Sequence, residues 1–221
     1  MPTPLEAVVD PKSHWEGVYR AKRPEEVSWF QPDARVSLQL VQQVAPDRDS
    51  AIIDIGAGAS TLVDGLIRAD YRRITVLDLT QTALIQAQGR LQDSAQLVTW
   101  READVLTSEF AAAEFDVWHD RAVFHFLTDP VDRARYIAQV RRALRPEGHA
   151  IVATFAEDGL THCSGLAVAR YSAEELHDEF GATFRLINSY REAHVTPNGV
   201  TQAFNYCVCR YEPQASTRHA A

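Results

Sequence analysis

A chain of 221 residues that is 46% hydrophobic and 24% charged has the composition of one ordinary globular domain. Its net charge of −8 argues against a nucleic-acid substrate, because phosphate backbones call for a basic surface. No apolar stretch reaches membrane-spanning length, no signal-peptide core opens the chain, and three cysteines do not make a disulfide framework, so a cytoplasmic protein away from membranes is expected.

Met1–Asp10 reads as a loose arm. From His14 to Gln31 the aromatics Trp15, Tyr19, Trp29 and Phe30 interleave with charges, and the i, i+4 spacing of Trp15 and Tyr19 predicts a short helix that Pro24 interrupts. A second helix over Ala34–Val44 presents Val36, Leu40, Val41 and Val44 on one face. The central stretch follows. The β-branched run Ala51–Ile55 leads into Gly56, Ala57 and Gly58, and a helical pattern runs over Leu62–Ala69. The two glycines allow a tight strand-to-helix turn and close approach of backbone to a ligand, as at the first βα crossing of an open parallel sheet. Thr61 stands where a dinucleotide fingerprint has its third glycine, and Asp54 is no part of that fingerprint, which counts against a nicotinamide oxidoreductase.

A second strand, Arg73–Leu79, carries Asp78 about twenty residues past the glycines, where such folds hold a ribose. Thr80 is expected to cap a helix to Leu91, and a third strand over Leu97–Ala103 runs up to Asp104. A short fourth strand, Phe115–His119, precedes a helix over Asp129–Leu144 with Val131, Tyr136, Ile137, Val140 and Leu144 inward. Arg145–Gly148 stops that helix, and His149–Phe155 is the fifth strand. After a glycine-punctuated loop, Ser172–Glu175 is a capping box for a helix to Phe180. Phe184–Val195 and Thr201–Tyr211 form a hairpin about Thr-Pro-Asn-Gly, and the polar tail from Pro213 is expected to be flexible. The alternation predicts an α/β fold: a doubly wound, mostly parallel seven-stranded sheet closed by a C-terminal antiparallel hairpin, with the antiparallel strand at the edge. Residues 1–212 make a single domain.

These local patterns resemble the class I S-adenosylmethionine-dependent methyltransferases. Asp54-Ile-Gly-Ala-Gly58 is similar to motif I of that family, Val76-Leu-Asp78 to motif II, and Ala103-Asp-Val105 to the next. Phe115–His119 with Phe124-His-Phe126 resembles the fourth strand and its active edge. Leu144-Arg-Pro-Glu-Gly148 resembles the run before the fifth strand, with Glu147 where a glycine is usual. The resemblance implies S-adenosylmethionine as cofactor and S-adenosylhomocysteine as product. The turn Gly56, Ala57, Gly58 would then face the methionine end with Asp54, Asp78 would hold the ribose, and Asp104, the Val105 amide and Leu79 the adenine. Trp15-Glu-x-x-Tyr19 and Ser28-Trp-Phe-Gln31 resemble a sub-pattern of small bacterial and lysine methyltransferases. By it residues 1–33 form a lid, with Trp29 or Gln31 at the methionine part.

The most chemically loaded stretch is Trp118–His125, at the carboxyl end of the fourth strand, where open α/β sheets bind ligands. Asp120 and His125 are candidates to orient or deprotonate an acceptor. His119 is a candidate for proton transfer or cofactor contact. Arg121, Tyr19, and the loop residues His162 and Cys163 are candidates for the substrate pocket. Cys207 and Cys209 share a strand face without metal-ligand spacing, so no metal is expected. The expected activity is methyl transfer to a small-molecule nucleophile, a thiol or an amine. The alternatives are a protein lysine N-methyltransferase and a cofactor-binding module without turnover.

Overall fold

The computed structural model describes residues 10–213; the expected terminal arm and nearly all of the expected tail lie outside them. The order of elements is α1 (Pro11–Ala21), α2 (Arg35–Val44), β1 (Ala51–Ile55), α3 (Leu62–Arg68), β2 (Arg73–Asp78), α4 (Gln81–Leu91), β3 (Val98–Glu102), β4 (Phe115–Arg121) and α5 (Pro130–Ala143). There follow β5 (Leu144–Phe155), the two-residue strands β6 (His162–Cys163) and β7 (Leu166–Ala167), α6 (Ala173–Phe180), β8 (Phe184–Val195) and β9 (Thr201–Tyr211).

The main sheet runs β3-β2-β1-β4-β5-β9-β8, and β1 to β5 are parallel. The antiparallel strand is not at the edge: β9 lies between β5 and β8, antiparallel to both, and β8 is the edge strand. Every residue of β1 is buried, because helices cover both faces of the central strands. One face packs Ile52, Ile74, Val117, Ile151 and Tyr206 against α2 and α3; the other packs Ile53, Ile55, Trp118 and Val152 against α5 and α6. Strand order reverses between β1 and β4, and the crevice at their carboxyl ends is where such a sheet takes a ligand.

The boundaries differ from the sequence reading at several points. β4 extends two residues further, through Arg121. β5 begins at Leu144, so Arg145–Gly148 is an irregular stretch of strand, with Glu147 at φ 66° and a register shift against β4. Val131 is 55% exposed and does not face the core, since it sits in the first turn of α5, held by the Asp129 cap. Thr80 precedes α4 without capping it: its hydroxyl donates to Asp78 Oδ1 instead. The Ser172–Glu175 capping box and both hairpin strands lie where the sequence puts them.

Asp116 fastens the amino-terminal end of the sheet. Its carboxylate accepts the Ala51 amide at 2.7 Å and the Arg145 guanidinium at 2.7 and 2.8 Å, tying β1, β4 and β5 together. Asp116→Ala should lower unfolding free energy by about 1–3 kcal/mol, through a lost charge-assisted pair and an unpartnered amide. Thermal melts check this, with S-adenosylhomocysteine affinity expected to stay unchanged because Asp116 is at the opposite end of the sheet from the crevice.

Candidate active site

The crevice holds two adjoining cavities. The larger, about 400 Å³, runs from Asp78, Leu79, Asp104 and Val105 to Trp15, Tyr19, Trp29, Phe126, Arg121 and Cys163. The smaller, about 40 Å³, lies between the glycine turn, Gln31, Ser37, Asp54 and His119. Trp29, Ile55, Gly56 and Arg121 are walls of both.

The glycine turn is shaped by contacts that forbid a side chain. Gly56 has φ +59°, and a Cβ there would stand 2.1 Å from Val123 Cγ2. Gly58 has φ +33°, and a Cβ there would meet Tyr19 Oη at 2.6 Å and Asp78 Oδ2 at 2.9 Å. Asp78 is buried, with Oδ1 accepting from the Thr80 amide (2.8 Å) and hydroxyl (2.9 Å). Its second oxygen lies beside Gly58 of the glycine turn. Burial, opposed by these hydrogen bonds, pushes the Asp78 carboxyl up to about 6. Asp104 Oδ1 accepts the Leu106 amide at 2.8 Å.

In β4 the two-residue period of a strand separates neighbours in sequence. His119 is paired in register with Asp54 of β1, and the two side chains meet: Nδ1 to Asp54 Oδ1 is 2.6 Å. His119 Nε2 lies 2.9 Å from Ser37 Oγ on α2. Arg121, two residues on, shares this face. Its Nε donates to Tyr206 Oη (3.0 Å), its Nη2 to Glu192 Oε2 (3.3 Å) and its Nη1 to the Trp29 carbonyl (3.3 Å), and the guanidinium lies over the Phe204 ring at 4.1 Å. Glu192 also accepts from Gln31 Nε2 at 2.7 Å and Tyr206 Oη at 3.0 Å.

Asp120 points the other way. It is fully buried under α5, accepting from the Val123 amide (2.9 Å), the Phe124 amide (3.1 Å) and the Tyr136 hydroxyl, and it walls neither cavity. His125 is buried too: its Nδ1 accepts the Phe155 amide at 3.3 Å, and burial, helped by Arg121, holds it down at about 3. Neither side chain reaches the space where an acceptor could stand, so both are corrected from candidate catalytic residues to packing residues. His162 is exposed on β6 and bonds to Thr161, whereas Cys163, its neighbour, turns inward and walls the larger cavity. Tyr19 roofs that cavity from α1 and is pushed far up by burial beside Asp78.

Sequence reasoning missed Ser37, Glu192 and Tyr206. The one available signal was a buried-periodicity polar residue on each: Ser37 on the apolar face of α2, and Glu192 and Tyr206 on inward-facing positions of the hairpin.

Residues 52–148 match the family described as Methyltransferase domain. That stretch carries the glycine turn, Asp54, Asp78, Asp104 and all of β4. Over that stretch the chain is similar to methyltransferase domains. The chain resembles a Danio rerio eEF1A lysine and N-terminal methyltransferase, 24% identical over 161 residues that are 72% of this chain and 23% of the relative. It also resembles Danio rerio EEF1A lysine methyltransferase 2, 24% identical over 210 residues, 86% of this chain and 84% of the relative. The chain thus spans under a quarter of the first relative and most of the second. Among solved structures, Burkholderia thailandensis 1,6-didemethyltoxoflavin-N1-methyltransferase, with 1,6-didemethyltoxoflavin and S-adenosylhomocysteine bound, superposes with a TM-score of 0.75 at 18% identity. The match covers 96% of this chain and 93% of that one.

The cleft fits S-adenosylmethionine, whose product is bound in the Burkholderia structure. Asp54 Oδ2 is a buried oxygen without a partner on the wall of the small cavity, suited to an ammonium group. Gly56 and Gly58 leave room only for backbone beside a ligand, and Asp78 offers an acceptor for a sugar hydroxyl.

Two outcomes are expected. Asp78→Ala should weaken S-adenosylhomocysteine binding by about 1.5–3 kcal/mol. In the native protein, affinity should rise with pH through about 6 and level off above it, because a ribose hydroxyl donates to the ionised carboxylate and the ligand-free Asp78 keeps its proton below that pH. Calorimetry across pH measures both. Asp120→Asn should instead destabilise the fold by roughly 1–3 kcal/mol through its lost acceptor bonds, with S-adenosylhomocysteine affinity intact; a melt and a titration on one preparation separate the effects.

Proposed function

We propose that the chain transfers the methyl group of S-adenosylmethionine to a small-molecule nucleophile, with a thiol favoured over an amine. The observation that carries this reading is the chemistry of the larger cavity. It is roofed by α1 and by the cluster of Trp15, Tyr19, Trp29 and Phe126, whose ring centroids lie 5.1 to 6.4 Å apart. Among the described residues, no histidine and no lysine walls it. A nucleophile there must lose its proton without a neighbouring imidazole or amine, and a thiol does so near neutral pH.

In this reading Asp78 holds the ribose, Asp104, the Val105 amide and Leu79 the adenine, and Asp54 Oδ2 the ammonium of the methionine part. The cofactor supplies an electrophilic methyl on a sulfonium; the chain supplies orientation, desolvation and an aromatic wall for the positive charge. Helix α1 and residues 22–31 act as the lid. They are tied down by the Lys12–Glu102 pair at 2.6 Å, by Gln86 to the Tyr19 carbonyl at 2.8 Å, and by His194 to the Ser28 carbonyl at 2.7 Å.

A second reading, protein lysine methylation, draws support from the eEF1A methyltransferase relatives. The two separate in one assay. Methyl-labelled S-adenosylmethionine is offered to the protein with a panel of small thiols and amines, and in parallel with cell-extract protein. Label in the small-molecule fraction, at thiols before amines, is expected; label confined to protein lysines would replace the first reading by the second.

A further inference from the structure

The arginine at the junction of the two cavities has a charge that the cofactor reading does not use. On the proposed reading of a thiol acceptor, we infer that Arg121 draws that acceptor into the site as an anion, and so takes the place of a general base.

Arg121 walls both cavities, at their junction with Trp29, Ile55 and Gly56. Its side chain is only 9% exposed, so its charge is poorly screened by water. Each terminal guanidinium nitrogen carries two N–H groups. Nη1 uses one on the Trp29 carbonyl and Nη2 one on Glu192, which leaves one on each without a partner among the described residues. A cation in that position repels an ammonium and attracts a thiolate, and an arginine beside a thiol lowers the pH at which it ionises.

Glu192 sets the strength of the effect. It is held by Gln31 and Tyr206 and matches the arginine charge, so that a sulfonium can share the site with a guanidinium. The step balances: the thiol gives its proton to water, the thiolate electron pair forms the new sulfur–methyl bond, and the old bond breaks with its pair left on the cofactor sulfur. One negative and one positive charge become none.

Among the other groups near the guanidinium, burial pushes the Asp78 carboxyl on the larger cavity up to about 6, so its titration is recorded without thiophenol and subtracted. Burial pushes Tyr206 of β9 up to about 12, His125 down to about 3, and His194 of β8 downward. Tyr19 and Cys163, across the larger cavity, are both pushed up. Asp54 and His119 are bonded to each other across the smaller one.

The test follows the ionisation of thiophenol, by difference absorbance against pH, on the protein saturated with S-adenosylhomocysteine; no turnover is needed. Bound thiophenol should ionise about one pH unit below the free thiol. R121K should keep that shift. The neutral pair R121M/E192Q, which leaves no buried charge unmatched, should lose it. E192Q alone should move ionisation lower still, because the arginine is then unopposed. Equal ionisation in the wild type and the neutral pair, or an upward shift in E192Q, would overturn the inference. So would a tenfold loss of S-adenosylhomocysteine affinity in the neutral pair with thiol ionisation the same as in the wild type, which would give the arginine to the cofactor. Thiophenol methylated with one pH profile in all variants sinks this inference alone; thiophenol neither bound nor methylated, with label only on protein, sinks the thiol reading and this with it.

Discussion

One buried chain of polar contacts organises the active end of the molecule. It runs from Asp54 through His119 to Ser37, on to Tyr206 at 3.4 Å, and from Tyr206 to Arg121 and Glu192, ending at Gln31. Its members come from β1, β4, α2, β9, β8 and the segment before α2. Desolvating charges such as these costs several kcal/mol per ion unless every member finds its partner. The hairpin, the second helix and the amino-terminal segment therefore have one arrangement in which the charges match, and that arrangement is also the wall of the crevice.

The second organising fact is the alternation of side chains along β4. Trp118 and Asp120 serve the packing of α5: the indole donates to Tyr136 Oη at 2.8 Å, and Tyr136 in turn donates to Asp120. His119 and Arg121 serve the crevice. A single strand thus carries both two members of a structural polar triad and a crevice-facing pair, segregated by nothing more than the pleat. Burial pushes Asp120 up to about 6 because it sits on the dry face, which makes it a perturbed carboxyl without a chemical task.

Most of the fold was legible because its cues are local. The glycine turn, the apolar β1, the capping box at Ser172 and the Thr-Pro-Asn-Gly hairpin each act within a few residues, and each stands where the sequence places it. What was not legible depends on which face a side chain takes and on contacts between distant segments. His119, Asp120 and Arg121 are consecutive and were read as one cluster, but a strand end that runs two residues further sends Asp120 to the opposite face. Thr80 satisfies a helix-cap pattern, yet the buried Asp78 competes for its hydroxyl. Glu192 and Tyr206 meet Arg121 through a pairing some 70 to 85 residues removed from it, for which no local cue exists.

The position of β9 bears on how the chain is made. It follows every other strand of the sheet along the chain, yet it is an interior member of the sheet, flanked by β5 and β8. Until it emerges from the ribosome, β5 presents an open edge from His149 to Phe155, most of it buried in the finished protein, and β8 has nothing to pair with. Such an edge is a template for wrong pairing. The parallel half of the sheet can assemble early, but the polar chain at the crevice closes only with Tyr206, so ligand competence and edge protection are acquired in the same late event.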